Sequence, residues 1–146
     1  MIRQMNENDQ DIFYKLTNLF YKSDSVLDDI PIDFHVKTFQ EIIRSDDYLN
    51  GYILIKDNVP AGYALTSKYY SHEAGGLTLF VDELFVLENY RSQGLAKEFF
   101  KYINDNLEDN VTRLRLEVES DNNGAIKLYD KEGFSFLNYA QMIKNI

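Results

Sequence analysis

Leu84-Phe85-Val86-Leu87-Glu88-Asn89-Tyr90-Arg91-Ser92-Gln93-Gly94-Leu95-Ala96-Lys97-Glu98-Phe99-Phe100 is the stretch that decides how this chain folds. A β-prone apolar run passes through a polar elbow into an Arg-x-x-Gly-x-Ala loop, and then directly into an amphipathic helix. The first N–H groups of a helix have no partner inside it, and the helix dipole adds partial positive charge at that end. A strand feeding such a terminus presents a row of free donors whose natural ligand is a phosphate or pyrophosphate. Gly94 and Ala96 are small, so a ligand can come close to the backbone there.

Two common nucleotide loops are excluded by the same residues. There is no Gly-Lys-Ser/Thr, so the phosphate lysine and magnesium hydroxyl of a Walker A loop are missing. No Gly-x-Gly-x-x-Gly follows a strand, which removes the dinucleotide fingerprint.

A second segment narrows the reading. Leu114-Arg115-Leu116-Glu117-Val118-Glu119 alternates apolar and charged residues, as a half-covered strand does. It leads into Ser120-Asp121-Asn122-Asn123-Gly124-Ala125-Ile126-Lys127-Leu128-Tyr129-Asp130-Lys131-Glu132-Gly133-Phe134. The first segment resembles the acyl-coenzyme A loop of the GNAT superfamily of N-acetyltransferases, Arg/Gln-x-x-Gly-x-Gly/Ala. The second is similar to that family's strand followed by Asn-x-x-Ala-x-x-Leu-Tyr-x-x-x-Gly-Phe, met here by Asn122, Ala125, Leu128, Tyr129, Gly133 and Phe134. The resemblance covers residues 77 to 136 by motif and the remainder by element order.

Composition is compatible with this. At 146 residues the chain is long enough for one sizeable core, and a single domain over residues 1 to 146 is expected, with no linker or repeat. The absence of cysteine excludes disulfides, thiolate nucleophiles and cysteine metal sites. Met1-Ile2-Arg3-Gln4-Met5-Asn6 lacks an apolar signal core and no run reaches membrane-spanning length, so a cytoplasmic protein without membrane contact is expected. A formal net charge of −9 speaks against nucleic-acid binding, which needs a basic face. It also suits attraction of a cationic substrate, although acidity serves solubility in many proteins.

Periodicity yields the remaining elements. Ile2 to Met5 reads as a short strand, and Glu7 to Tyr21 as a helix with Ile12, Phe13, Leu16, Leu19 and Phe20 on one face. Asp33 to Arg44 repeats the helical pattern with Asp33 as a fitting N-cap. Tyr52 to Ile55 and Ala61 to Tyr70 read as strands around the turn-rich Lys56-Asp57-Asn58-Val59-Pro60, and Leu77 to Val86 as the next strand. Ala96, Phe99, Phe100, Ile103 and Leu107 form the buried face of the helix after the loop, and Tyr139 to Ile146 is expected to be a closing strand.

The family resemblance implies an α/β fold with a mixed, mostly antiparallel sheet of about six to seven strands and about four helices. Two parallel central strands, ending near Val86 and Val118, would splay to admit the pantetheine arm of acetyl-coenzyme A. Backbone groups of Phe85 and Val86 would pair with the pantetheine amides. The cofactor's phosphates would rest on Arg91, Ser92, Gln93, Gly94, Leu95, Ala96 and Lys97, with Ser92 standing where the family often has glycine. Asn122 either contacts pantetheine or caps the following helix.

Acetyl transfer from a thioester needs a neutral amine, a route for its proton and an acid for the leaving thiolate, with no metal. The resemblance assigns the acid to Tyr129. Asp82-Glu83 interrupts an apolar strand, which is costly unless it serves a site or reaches water. Because successive strand residues face opposite sides, only one of the two is expected to face a given cleft. The run Val81 to Val86 looks like that of diamine and polyamine acetyltransferases, where the acidic pair would bind the ammonium or relay its proton. Asp82 is preferred, Glu83 next. His35 and His72 lie outside any motif, and Asp24, Asp28 and Asp29 form either a cation-attracting or a simply hydrated loop.

The resulting expectation is direct acetyl transfer from acetyl-coenzyme A to a primary amine on a small cationic molecule. Acetylation of a protein N-terminus or lysine is the alternative among enzymes, and a coenzyme A–binding sensor or scaffold is the alternative without turnover. Members of the family often dimerise, so a homodimer through the closing strand is compatible with the resemblance.

Overall fold

The computed structural model describes residues 1–23 and 30–146. Asp24, Asp28 and Asp29 therefore lie outside the described residues. The chain runs through β1 (Ile2–Gln4), a 3-10 turn (Glu7–Asp9), α1 (Gln10–Tyr21), α2 (Ile32–Arg44), β2 (Leu49–Lys56), β3 (Val59–Ser71) and β4 (Gly76–Val86). A second 3-10 turn (Glu88–Tyr90), α3 (Leu95–Asp105), β5 (Val111–Leu116) and α4 (Asn123–Lys131) follow.

The strands form one sheet in sequence order, antiparallel except for the parallel pair β4–β5. Local chemistry explains the antiparallel part. Asp57 and Asn58 both adopt positive φ, 50° and 63°, the conformation of a two-residue hairpin loop, and Lys56 pairs directly with Val59. Gly62 is required for a different reason. A Cβ there would stand 2.2 Å from the carbonyl oxygen of Phe85, so β3 and β4 can close only over glycine.

Each face of the sheet carries its own core. On one side α3 lays Leu95, Phe99, Phe100 and Ile103 against Leu54, Ala64, Leu79 and Val81. Phe99 and Phe100 are fully buried, worth about 1.5–3 kcal/mol each by transfer from water. On the other side α1 and α2 pack Phe13, Leu16 and Phe39 against Ile53, Tyr63, Leu65 and Phe85.

Several elements differ from the sequence reading. Asp33 is not the N-cap of α2, since the helix begins at Ile32 with Pro31 before it, and Asp33 instead pairs with Lys37 across one turn at 2.9 Å. Leu107 lies beyond α3, which ends at Asp105. Among the described residues the sheet has five strands rather than six to seven, and Tyr139 to Ile146 forms none. Apolar residues of that segment stay exposed, Met142 at 95% and Ile143 at 89%. A segment becomes a strand only when a neighbouring edge supplies its hydrogen bonds, and Tyr139 to Ile146 pairs with no edge of the sheet.

Candidate active site

The site begins where the parallel pair ends. β4 and β5 stay paired up to Val81 opposite Leu116, after which β4 continues to Val86 and β5 stops. The strand expected from Leu114 to Glu119 thus starts and ends three residues earlier, and Glu117, Val118 and Glu119 leave the sheet to line a cavity of about 1100 Å³. Val81 to Val86 form the opposite wall, and Arg91, Ala96, Asn122, Ala125, Leu128 and Tyr129 are among its other lining residues.

A β-bulge sits at the same place. Leu65 pairs with Glu83 but Thr66 pairs with Val81, so Asp82 is an extra residue with no opposite number. The bulge breaks strict alternation, and Asp82 and Glu83 therefore both line the cavity. This corrects the expectation that only one could. Asp82 is exposed, and its pKa is raised by partial removal from water and by Glu117, against the Ser67 hydroxyl, which opposes the shift.

Glu83 is held more firmly. Its Oε1 accepts from the Tyr21 hydroxyl and its Oε2 from the Tyr63 hydroxyl, each at 2.5 Å. Burial raises the Glu83 pKa, the two phenol hydrogen bonds oppose that rise, and the charge of Asp82 adds to it. Both phenols are pushed upward in turn, by burial first and then by the Glu83 charge.

The loop that precedes α3 has the backbone expected of an anion cradle. Ser92 has φ 59° and Gly94 φ 85°, both left-handed, and Gly94 is the N-cap of α3. No protein atom lies within 4 Å of where a Cβ of Gly94 would stand, so the space in front of it is open. The N–H groups of residues 92–97 have no acceptor among the described residues. Such a run of aimed donors at a helix start fits a diphosphate. Leu95 is 2% exposed, its side chain in the core, so only its N–H is available there. The side chains of Ser92, Gln93 and Lys97 are exposed and do not line the cavity. Gln93 instead donates to the Asn89 carbonyl at 2.9 Å, and Arg91 Nε to the Val86 carbonyl at 3.0 Å.

Asn122 is the N-cap of α4, its Oδ1 accepting from the Ala125 N–H at 3.1 Å, and it also lines the cavity. Tyr129 packs edge-on against Phe100 at 5.8 Å and near Phe134 at 6.0 Å, and burial raises its pKa. Its hydroxyl donates to no group among the described residues, and the residue lines the cavity. His35 is buried beside the Tyr21 ring, whereas His72 sits exposed in the β3–β4 turn. Tyr21, Tyr63, Glu117 and Asp121 carried no motif. The only trace of Glu117 in the sequence was its place in the charged half of an alternating run.

The profile of the Acetyltransferase (GNAT) family matches residues 13–134. The chain belongs to the GNAT acetyltransferases. No curated protein matches it in sequence. Among solved structures it is similar to a possible acetyltransferase from Clostridium difficile 630, with TM-score 0.83 and 18% identity over 100% of this chain and 97% of that one. It is likewise similar to AAC(6')-Iy in complex with the bisubstrate analogue CoA-S-monomethyl-acetylneamine, with TM-score 0.83 and 21% identity over 100% and 97%. A ribosomal-protein-alanine N-acetyltransferase from Brucella melitensis biovar Abortus 2308 has TM-score 0.72 and 16% identity over 100% and 99%. At such identities these likenesses show the fold.

Proposed function

We propose that this protein transfers an acetyl group from acetyl-coenzyme A directly to a primary amine of a small cationic molecule. The observation that carries the reading is the charge of the cavity. Asp82, Glu83, Glu117, Glu119 and Asp121 line it, against Arg91 as the one cationic lining residue among those described. Converging carboxylates with low-dielectric walls concentrate cations and repel anions.

The chain's residues divide the work. Free N–H groups at residues 92–97, with the Arg91 guanidinium, hold the diphosphate of the donor. The end of β4 at Phe85 and Val86, paired with β3 but not with β5, lies along the gap that the pantetheine arm would occupy. Carboxylates across the gap receive the acceptor. Tyr129 protonates the leaving thiolate. A phenol kept neutral by burial, its proton committed to no other group, is suited to a leaving group of similar basicity.

The test is release of coenzyme A thiol from acetyl-coenzyme A across diamines, polyamines, aminoglycosides, amino acids and peptides. Turnover is expected with the polycationic small amines and not with peptides. Turnover confined to peptides would move the function to protein acetylation, and donor binding without any turnover would favour a sensor.

A further inference from the structure

The Glu83 carboxylate is the most constrained acidic group in the cavity. Its two donors come from separate elements, Tyr21 from the last residue of α1 and Tyr63 from the middle of β3. Both rings are fixed by packing rather than by the hydrogen bonds. Tyr63 is fully buried, edge-on to Phe13 at 5.8 Å and Phe20 at 6.1 Å, and Tyr21 is edge-on to Phe20 at 5.1 Å. The bulge at Asp82 places Glu83 opposite Leu65 in the β3–β4 register, within reach of both hydroxyls.

A carboxylate has about four lone-pair sites, two on each oxygen. One phenol on each oxygen leaves one site per oxygen unused, and Glu83 lines the cavity. We propose that Tyr21 and Tyr63 are positioning residues, clamping Glu83 so that its free lone pairs take the proton of the acceptor ammonium. This rests on the amine-acetylation reading above. In the step, one ammonium N–H bond breaks and a Glu83 O–H bond forms, directly or through one water. The nitrogen keeps its electron pair for bond formation to the thioester carbon, and Glu83 returns the proton to solvent.

The surroundings support this division of roles. The phenols are raised away from neutral pH, so they donate throughout the working range and do not compete for the proton. Burial and Asp82 make Glu83 more basic than an ordinary carboxylate, and the two phenol hydrogen bonds oppose that rise. Charged and titratable groups around it are Asp82 on its own strand, Tyr63 from β3 and Tyr21 from α1. Further out stand His35 from α2, against the Tyr21 ring, and Glu117 beyond β5, against Asp82.

The experiment compares wild type with Tyr21→Phe and Tyr63→Phe, two separate changes that keep the ring and its packing. The pH dependence of kcat/KM is measured with a triamine, and the Glu83 carboxyl is titrated by ¹³C NMR in the free protein, assigned through Glu83→Gln. Loss of a phenol donor disfavours the carboxylate, so the Glu83 titration and the acidic limb of kcat/KM should move together to higher pH. At neutral pH kcat should fall about tenfold, with KM for acetyl-coenzyme A unchanged. A titration that stays in place in both variants overturns the clamp. A titration that moves while the limb does not removes Glu83 from proton uptake. If wild type acetylates no cationic amine, the acceptor reading fails and the proton role with it, and the NMR titration alone then decides the clamp.

Discussion

Arg91 Nε donates to the carbonyl oxygen of Val86 at 3.0 Å, tying the start of the α3 loop to the end of β4. The two segments it joins are those proposed to hold the diphosphate and the pantetheine arm. The hydrogen bond uses one of five guanidinium N–H groups and leaves both terminal nitrogens for a phosphate. Arg91→Ala should weaken acetyl-coenzyme A binding about 10- to 100-fold, the range of a charge-assisted hydrogen bond. Because Arg91 is exposed, the melting temperature should hardly change. Calorimetric titration with acetyl-coenzyme A and a thermal melt check both, and unchanged affinity would show that Arg91 serves only the loop.

Ser92 has a backbone that suits glycine. At φ 59° an L-residue carries roughly 1–2 kcal/mol of steric cost, and glycine returns part of the gain through its freer unfolded chain. Ser92→Gly should therefore stabilise the protein by about 0.5–1 kcal/mol, read as a higher urea midpoint. A lower midpoint would mean that the serine hydroxyl contributes to the loop.

Tyr129→Phe removes only the hydroxyl and keeps the ring contacts with Phe100 and Phe134. Turnover should drop by about 10²-fold or more, with acetyl-coenzyme A affinity within about twofold of wild type. Stopped-flow thiol release and equilibrium binding separate the two quantities. Full turnover in the variant would take Tyr129 out of the chemistry.

Asp9 links β1 to the start of the helical layer. It accepts from Arg3 through both oxygens at 2.7 Å and from the Asn6 N–H at 2.8 Å. The Arg3 hydrogen bond is the largest cause holding its folded-state pKa below the ordinary 3.8. Above 3.8 the carboxylate is ionised folded and unfolded, so its full contribution is present. Between 3.8 and the lower folded value the unfolded chain binds more protons, and acid favours unfolding. Asp9→Asn should be less stable than wild type by about 1–3 kcal/mol at pH 5 and pH 7. That margin should shrink below pH 3.8 and vanish once Asp9 is protonated in the fold. Urea titrations at pH 7, 5 and 3 measure it, and a margin that persists at acid pH would contradict the ion-pair account.

Much of the fold was legible because its determinants are local. The hairpin at Asp57-Asn58, the apolar face of α3 and the free N–H groups at residues 92–97 each follow from residues within one or two turns of one another. By sequence Asn122 fits either capping or cofactor contact; the cap is present at 3.1 Å, and the residue also borders the cavity. Tyr139 to Ile146 forms no strand, because strand formation there depends on a sheet edge elsewhere in the chain, which no local residue specifies.

What the sequence by itself determined is therefore the set of parts: the glycine-bearing elbow before α3, the helix faces, the tyrosine in its motif and the presence of an acidic pair. These rest on backbone conformations and periodicities that the chain satisfies within a short stretch. Only the tertiary structure decided where the acidic pair sits and what it contacts. The bulge at Asp82 turns both carboxylates to one cavity, and Glu83 meets partners 62 and 20 positions away in the chain. That meeting depends on strand register and on the docking of α1, which are settled by burial summed over the whole core and are written in no single motif.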